Sequence, residues 1–269
     1  MSASTADRVR LVARTLGEIL ITVGLVLLLL VVYQLWWTNV EADRAADQVR
    51  DEIVATWARD AEPQPQPSGS GAPTPTPTPT GPIRVPKPEA GEGFGLVYIP
   101  RLSDSVWGTP LIEGVTLPDL ARGIGHYPDS AMPGQKGNFA IAGHRATNGE
   151  PLKDIDRLRV GDTVIIETQD AWYTYVLEKD QVVDPTALWV VDPVPGDPGA
   201  KPTERLITVT TCNPRWASYE RWIWWGTRES VLPKWKGTPP AIEAGPDAAL
   251  DARAADPAVA GATASAGVG

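Results

Sequence analysis

One cysteine, Cys212, stands in 269 residues, so no disulfide can form within the chain and no multi-cysteine zinc site can be assembled. Histidine is almost as scarce. His126 and His144 are the only two, too few for a histidine-rich metal cage, and neither a metal nor a cofactor is expected. Any thiol or imidazole chemistry must use that one thiol and one of these two imidazoles. Basic charge is not in excess either: 24 Lys and Arg against 33 Asp and Glu give −9, which argues against nucleic acid as a partner. Phenylalanine occurs only twice, whereas proline (27) and tryptophan (11) are abundant.

These residues are unevenly distributed, and the chain divides into five segments. Residues 1–18 carry Arg8, Arg10 and Arg14 and precede 19–37, a run without any charge. As a helix that run spans about 28 Å, close to the hydrocarbon thickness of a bilayer. Tyr33, Trp36 and Trp37 close it as an aromatic belt, and the stretch beyond is acidic. The positive-inside rule then predicts a single-pass membrane protein with a cytoplasmic N-terminus and everything after Thr38 outside. A cleaved signal peptide is the rival, but the run is long for an h-region and no small-x-small site follows it.

Residues 38–93 form a stalk and linker. Val49, Ile53, Val54 and Trp57 recur at helical spacing, consistent with a short membrane-proximal helix or with a frayed stalk. Ten prolines between Pro63 and Pro88 make that stretch an extended spacer reaching up to about 80 Å. Residues 237–269, rich in Ala, Gly and Pro and without an aromatic side chain, are expected to be disordered.

The remaining segment, 94–236, is long enough for one core. Strands are expected over 96–99, 138–142, 163–167, 172–183, 206–211 and 221–225, with short helices at 118–124 and 151–158. Many short strands separated by Pro/Gly turns point to a mainly β, closed or sandwiched fold. Cys212 ends a β-branched run that Pro214 stops, so its thiol can project from a strand end instead of packing inside. A working thiol needs a base close by. Spacing alone does not choose between His126 and His144, although His144 follows an apolar strand through Gly143, a residue free to take unusual backbone angles. Nine residues past Cys212, Arg221 opens a Trp-rich strand. Alternation puts Arg221, Ile223 and Trp225 on one face and Trp222 and Trp224 on the other. The Arg221 guanidinium could pair with an acid such as Glu220, cap a loop, or stabilise an oxyanion.

At these motifs the sequence resembles the sortases, membrane-anchored cysteine transpeptidases of Gram-positive surfaces. Thr208-Val209-Thr210-Thr211-Cys212 is near the family's T-L-x-T-C, Gly143-His144-Arg145 matches its histidine motif, and Arg221 falls where its arginine is expected. Leu96-Val97-Tyr98-Ile99-Pro100 and Gly125-His126-Tyr127-Pro128 look like the class E subgroup. The resemblance implies an eight-stranded β-barrel with short helices, preceded by one transmembrane helix. It implies His144, Cys212 and Arg221 as catalytic residues, and Tyr127 and Thr211 as substrate-binding ones. Implied partners are secreted proteins with a C-terminal sorting signal (Leu-Ala-x-Thr-Gly or Leu-Pro-x-Thr-Gly), a peptidoglycan-precursor amine as acceptor, and membrane lipid. The reaction implied is cleavage between Thr and Gly through a thioester on Cys212. Tyr127 could prefer Ala over Pro by accepting from the alanine N–H, or could merely pack under the groove.

Other readings fit less well. A papain-like hydrolase carries its nucleophile on a helix, and the Ser-x-Gly-Cys type of motif of an L,D-transpeptidase is absent. A non-catalytic scaffold or adhesion domain would bury Cys212 far from His144.

Overall fold

The structure, a computed structural model, describes residues 5–61 and 83–248. Eight strands follow one another along the chain: β1 (Gly93–Tyr98), β2 (Trp107–Glu113), β3 (Ile124–His126), β4 (Gly137–Ala142), β5 (Thr163–Glu167), β6 (Ala171–Val183), β7 (Arg205–Asn213) and β8 (Glu220–Pro233). They close into a barrel in the order β1-β2-β3-β4-β7-β8-β6-β5, so the fold is the eight-stranded barrel expected. Two of the pairings, β2 with β3 and β4 with β7, are parallel; the others are antiparallel.

Alternation along the strands fills the barrel. Val97, Leu111, Ile124, Phe139, Ile141, Val164, Ile166, Tyr175, Ile207, Val209 and Trp224 form one buried core. Two strands escape the sequence pattern. β3 has only three residues, too few for a period, and β2 carries Pro110 at its centre. β8 also runs eight residues past Trp225, through the polar 227–230 stretch, because β6 pairs with it as far as Pro233. Gly226 makes that pairing possible, since a Cβ there would lie 2.2 Å from the Val176 carbonyl oxygen. The expected helices shrink to α3 (Leu117–Leu120) and a single turn at Ile155–Arg157.

Residues 5–61 are helical throughout. Helix α1 (Thr5–Val32) passes through a π-helical turn, Tyr33–Trp37, directly into α2 (Thr38–Ala61). From Val9 to Val32, α1 is long and apolar enough to cross a membrane, with none of it buried in the protein. Helix α2 is not a frayed stalk. Its Val49 and Ile53 pack on the outside of the barrel with Leu96, Tyr98, Ile112, Ile165 and Trp172, and Trp57 joins them. Each side chain so buried contributes about 1.5–3 kcal/mol. The Lys234 ammonium lies over Trp57 at 4.5 Å and over Trp172 at 4.9 Å, and it pairs with Glu167.

This docking corrects the spacer expectation. Because α2 precedes the proline-rich stretch and already lies on the barrel, that stretch cannot set the distance between α1 and the barrel. Residues 62–82 themselves lie outside the described residues. Disorder from 237 onward is corrected in part: α4 (Pro240–Glu243) forms, and its Ala241 and Ile242 join the cluster under α2. The Ser103 hydroxyl also donates to the Pro246 carbonyl at 3.3 Å. Residues 249–269 lie outside the described residues.

Candidate active site

Two parallel strands set the geometry. The β4–β7 register pairs Ala142 with Thr210, and the Gly143 N–H donates to the Thr210 carbonyl at 3.1 Å. His144 lies two residues beyond Ala142 and Cys212 two beyond Thr210, so imidazole and thiol emerge at the same level of neighbouring strand ends. On its other side β7 pairs with β8, and there Cys212 stands opposite Arg221. The three candidate catalytic residues therefore converge from β4, β7 and β8.

Cys212 and Arg221 share the outer face of the barrel. Ile207 and Val209 of β7 and Trp222 and Trp224 of β8 turn to the core, which leaves Thr208, Thr210 and Cys212, with Arg221, Ile223 and Trp225, facing outward. One end of this face is roofed by the β6–β7 connection. Trp189 stacks on Trp225 at 5.8 Å, and Val190 accepts from the Trp225 indole at 3.2 Å. Asn138 ties the same connection down by donating to Asp192 O at 3.0 Å while accepting from Thr208 at 2.8 Å. Toward Cys212 and Arg221 the face opens, and both residues are partly exposed.

His144 is held by its backbone, whose carbonyl accepts from Leu152 N–H at 3.0 Å. Gly143 takes ordinary backbone angles, and a Cβ there would crowd the Leu152 side chain at 3.0 Å. The buried Nε2 of His144 has no hydrogen-bond partner, and burial lowers the pKa of the ring below the ordinary 6.5. A neutral imidazole with one uncommitted nitrogen can accept a proton. His126 is different. It is wholly buried, with Nδ1 2.6 Å from Glu113 Oε2 and Nε2 2.8 Å from the Ser130 hydroxyl, and its ring stacks on Phe139 at 5.2 Å. It is a core residue.

Arg221 does not pair with the Glu220 carboxylate. Its Nη1 donates to the carbonyls of Ser218 and Glu220, each at 2.8 Å, which fixes one edge of the guanidinium. Tyr127, next to His126, lies near enough to Thr210, Arg221 and Cys212 for each to influence its phenol; burial, the largest influence, raises its pKa. Thr211 is a correction to the substrate-binding expectation. It is buried, and its hydroxyl donates to the Gly143 carbonyl at 2.6 Å, so it fastens the loop that carries His144 instead of facing the groove.

A chain of polar contacts missed in the sequence links the neighbours of all three residues. Arg145 donates to Asn213 Oδ1 at 2.5 Å, and Asn213 Nδ2 donates to Glu220 Oε2 at 2.6 Å. Arg145 also pairs with Asp156 at 3.1 Å and stacks its guanidinium over Trp222 at 5.0 Å. Each of Arg145, Asn213 and Glu220 adjoins one of His144, Cys212 and Arg221, and that adjacency was the available signal. Among the described residues no group of three or more His, Cys, Asp or Glu is placed to hold a metal.

The sortase-domain family model matches residues 97–229 of this chain. Sortase SrtE1 of Streptomyces coelicolor is 39% identical over 238 residues, covering 86% of this chain, which spans only 61% of that relative's length. Sortase SrtE2 of the same organism is 38% identical over 221 residues, covering 78% of this chain and 79% of the relative. A crystal structure of sortase E1 from Streptomyces coelicolor, with a tripeptide in its active site, superposes with a TM-score of 0.52 at 38% identity, over 58% of this chain and 99% of that one.

Proposed function

This chain belongs to the sortase family, and from that premise we propose that it is a membrane-anchored extracellular transpeptidase that cleaves a C-terminal sorting motif between Thr and Gly and passes the acyl group to a peptidoglycan-precursor amine. The observation that carries the reading is the register of β4, β7 and β8, which sets Cys212 opposite Arg221 and ends β4, two residues before His144, beside Thr210 of β7. A half-exposed Cys212 at that level speaks against a scaffold with a buried thiol. The tripeptide bound to the Streptomyces coelicolor relative supports a peptide as the occupant of the corresponding groove.

The chemistry follows from the atoms present. The Cys212 sulfur attacks the Thr carbonyl carbon while its proton passes to His144 Nε2. Arg221 faces the oxyanion. When the C–N bond breaks, the Gly amine departs with the proton from His144 and a thioester remains. An incoming amine then gives its proton to His144 and displaces the thiolate, which is reprotonated. Thiol and imidazole titrate as a pair. Because burial lowers the His144 pKa, the neutral imidazole persists into mildly acidic solution. The acidic limb of the kcat/KM profile is expected below 6.5, and a midpoint above that value would contradict the environment described.

The test is the full chain in lipid nanodiscs with Leu-Ala-x-Thr-Gly and Leu-Pro-x-Thr-Gly peptides and an amine acceptor, with transfer and hydrolysis resolved by mass spectrometry. A folded protein that cleaves neither peptide would overturn the reading. Arg221→Lys is expected to lose about 10²–10³ in rate, because an ammonium cannot keep two carbonyls and also offer a planar fork to the oxyanion. A Lys variant within a few-fold of the parent would make Arg221 a loop-fixing residue only.

Tyr127 is proposed as the residue that favours Ala over Pro in the motif. Its position beside Thr210, Arg221 and Cys212 supports this, with the phenolic oxygen accepting from an N–H that proline lacks. One such bond is worth about 0.5–1.5 kcal/mol, so Tyr127→Phe should narrow the ratio of the two specificity constants only several-fold, chiefly by slowing the Ala peptide. An unchanged ratio would remove Tyr127 from specificity. For topology, protease added to intact cells should digest the part beyond Thr38; its protection there would reverse the proposed orientation.

A further inference from the structure

We propose that the rim of the active site, carried by Trp216 and Tyr219 on the β7–β8 connection, rests on the outer surface of the lipid bilayer. The inference depends on the reading of α1 as a membrane anchor and adds to it where the barrel sits. Helix α1 continues without a break through Tyr33–Trp37 into α2. Asn39 follows the aromatic belt by two residues, about 3 Å of helix, whereas a headgroup layer is about 5–7 Å deep. Its side-chain oxygen accepts from the Gly149 N–H at 3.1 Å, so the connection after His144 meets the anchor at headgroup level. In that connection Glu150 pairs with Arg215 at 3.0 Å, and the Arg215 guanidinium lies over Trp216 at 5.0 Å.

The β7–β8 connection, which joins Cys212 to Arg221, is thus tied to the membrane end of α2. On it Trp216 and Tyr219 are each 67% exposed, large amphipathic rings that the protein leaves uncovered. Rings of this kind partition to the bilayer interface, as Trp36 and Trp37 of the helix do in the anchored reading. A lipid surface fits this rim better than a second protein, because the anchor fixes its distance from the membrane at every moment.

Single cysteines bearing an environment-sensitive fluorophore, placed in a Cys212→Ala background of the full chain in liposomes, test this. Trp216→Cys and Tyr219→Cys report the rim, Lys201→Cys the opposite end of β7, and Leu25→Cys the anchor. The expected result is loss of fluorescence at 216 and 219 to nitroxides on lipid headgroups, none at 201, and loss at 25 to nitroxides in the acyl chains. Signals at 216 and 219 that match 201 while 25 is quenched would overturn the proposal and leave the anchor standing. No quenching at 25 would overturn the anchor and the proposal together. Unchanged thermal unfolding of each labelled variant shows that the fold is intact.

Discussion

Cys212→Ala is expected to abolish both cleavage and transfer while leaving thermal unfolding close to that of the parent. The chain has no other thiol, so nothing can take over the attack. The side chain is partly exposed at a strand end, and the bonds that hold that end are made by other groups: Gly143 to Thr210, Thr211 to Gly143, and Asn213 to Arg145 and Glu220. Removing one sulfur atom there opens no closed cavity. Peptide cleavage followed by mass spectrometry, with a melting curve on the same sample, is the measurement. Any turnover by the folded variant would mean that water, and not the thiol, is the nucleophile.

The second large effect separates the two histidines. His144→Ala should be inactive and as stable as the parent, since its Nε2 has no partner to lose. His126→Ala should fail in another way. It leaves Glu113, one oxygen of which is already unpartnered, buried without its counterpart, and it removes a ring stacked on Phe139. Breaking a buried pair of this kind costs about 3–5 kcal/mol, a fall in Tm on the order of 10 °C. What remains folded should still turn over peptide. Equal Tm values for the two variants would contradict the burial described, and an active His144→Ala would assign the base elsewhere.

The sequence carried the barrel because most strands are β-branched runs between Gly and Pro, and it carried the candidate site because Thr208–Cys212 and Gly143–Arg145 stand at the ends of such runs. The assignment of faces on β8 also held, since strand alternation needs no tertiary information: Trp222 and Trp224 point inward, and Arg221, Ile223 and Trp225 outward. What escaped was whatever depends on distant partners. Thr211 sits in the right motif, but its hydroxyl is claimed by Gly143, 68 residues earlier. Helix α2 shows an apolar spacing, yet nothing in that spacing says that Leu96, Tyr98 and Trp172 lie across from it. The motif around His144 set it apart from His126 in the sequence, but that Glu113 and Ser130 hold His126 in the core was not legible there.

The parallel pairing of β4 with β7 also governs when the chain becomes reactive. Pairings between distant segments form late, after the loop-closure entropy of everything between them has been met. Hairpins such as β5–β6 can form early, but the segments that carry His144 and Cys212 come side by side only when strands separated by more than sixty residues pair. Until then Cys212 is an ordinary thiol with no base at hand. Recovery of activity on refolding should therefore lag behind recovery of the β-sheet signal. If the proposed chemistry holds, a newly made chain stays chemically silent until its fold is complete.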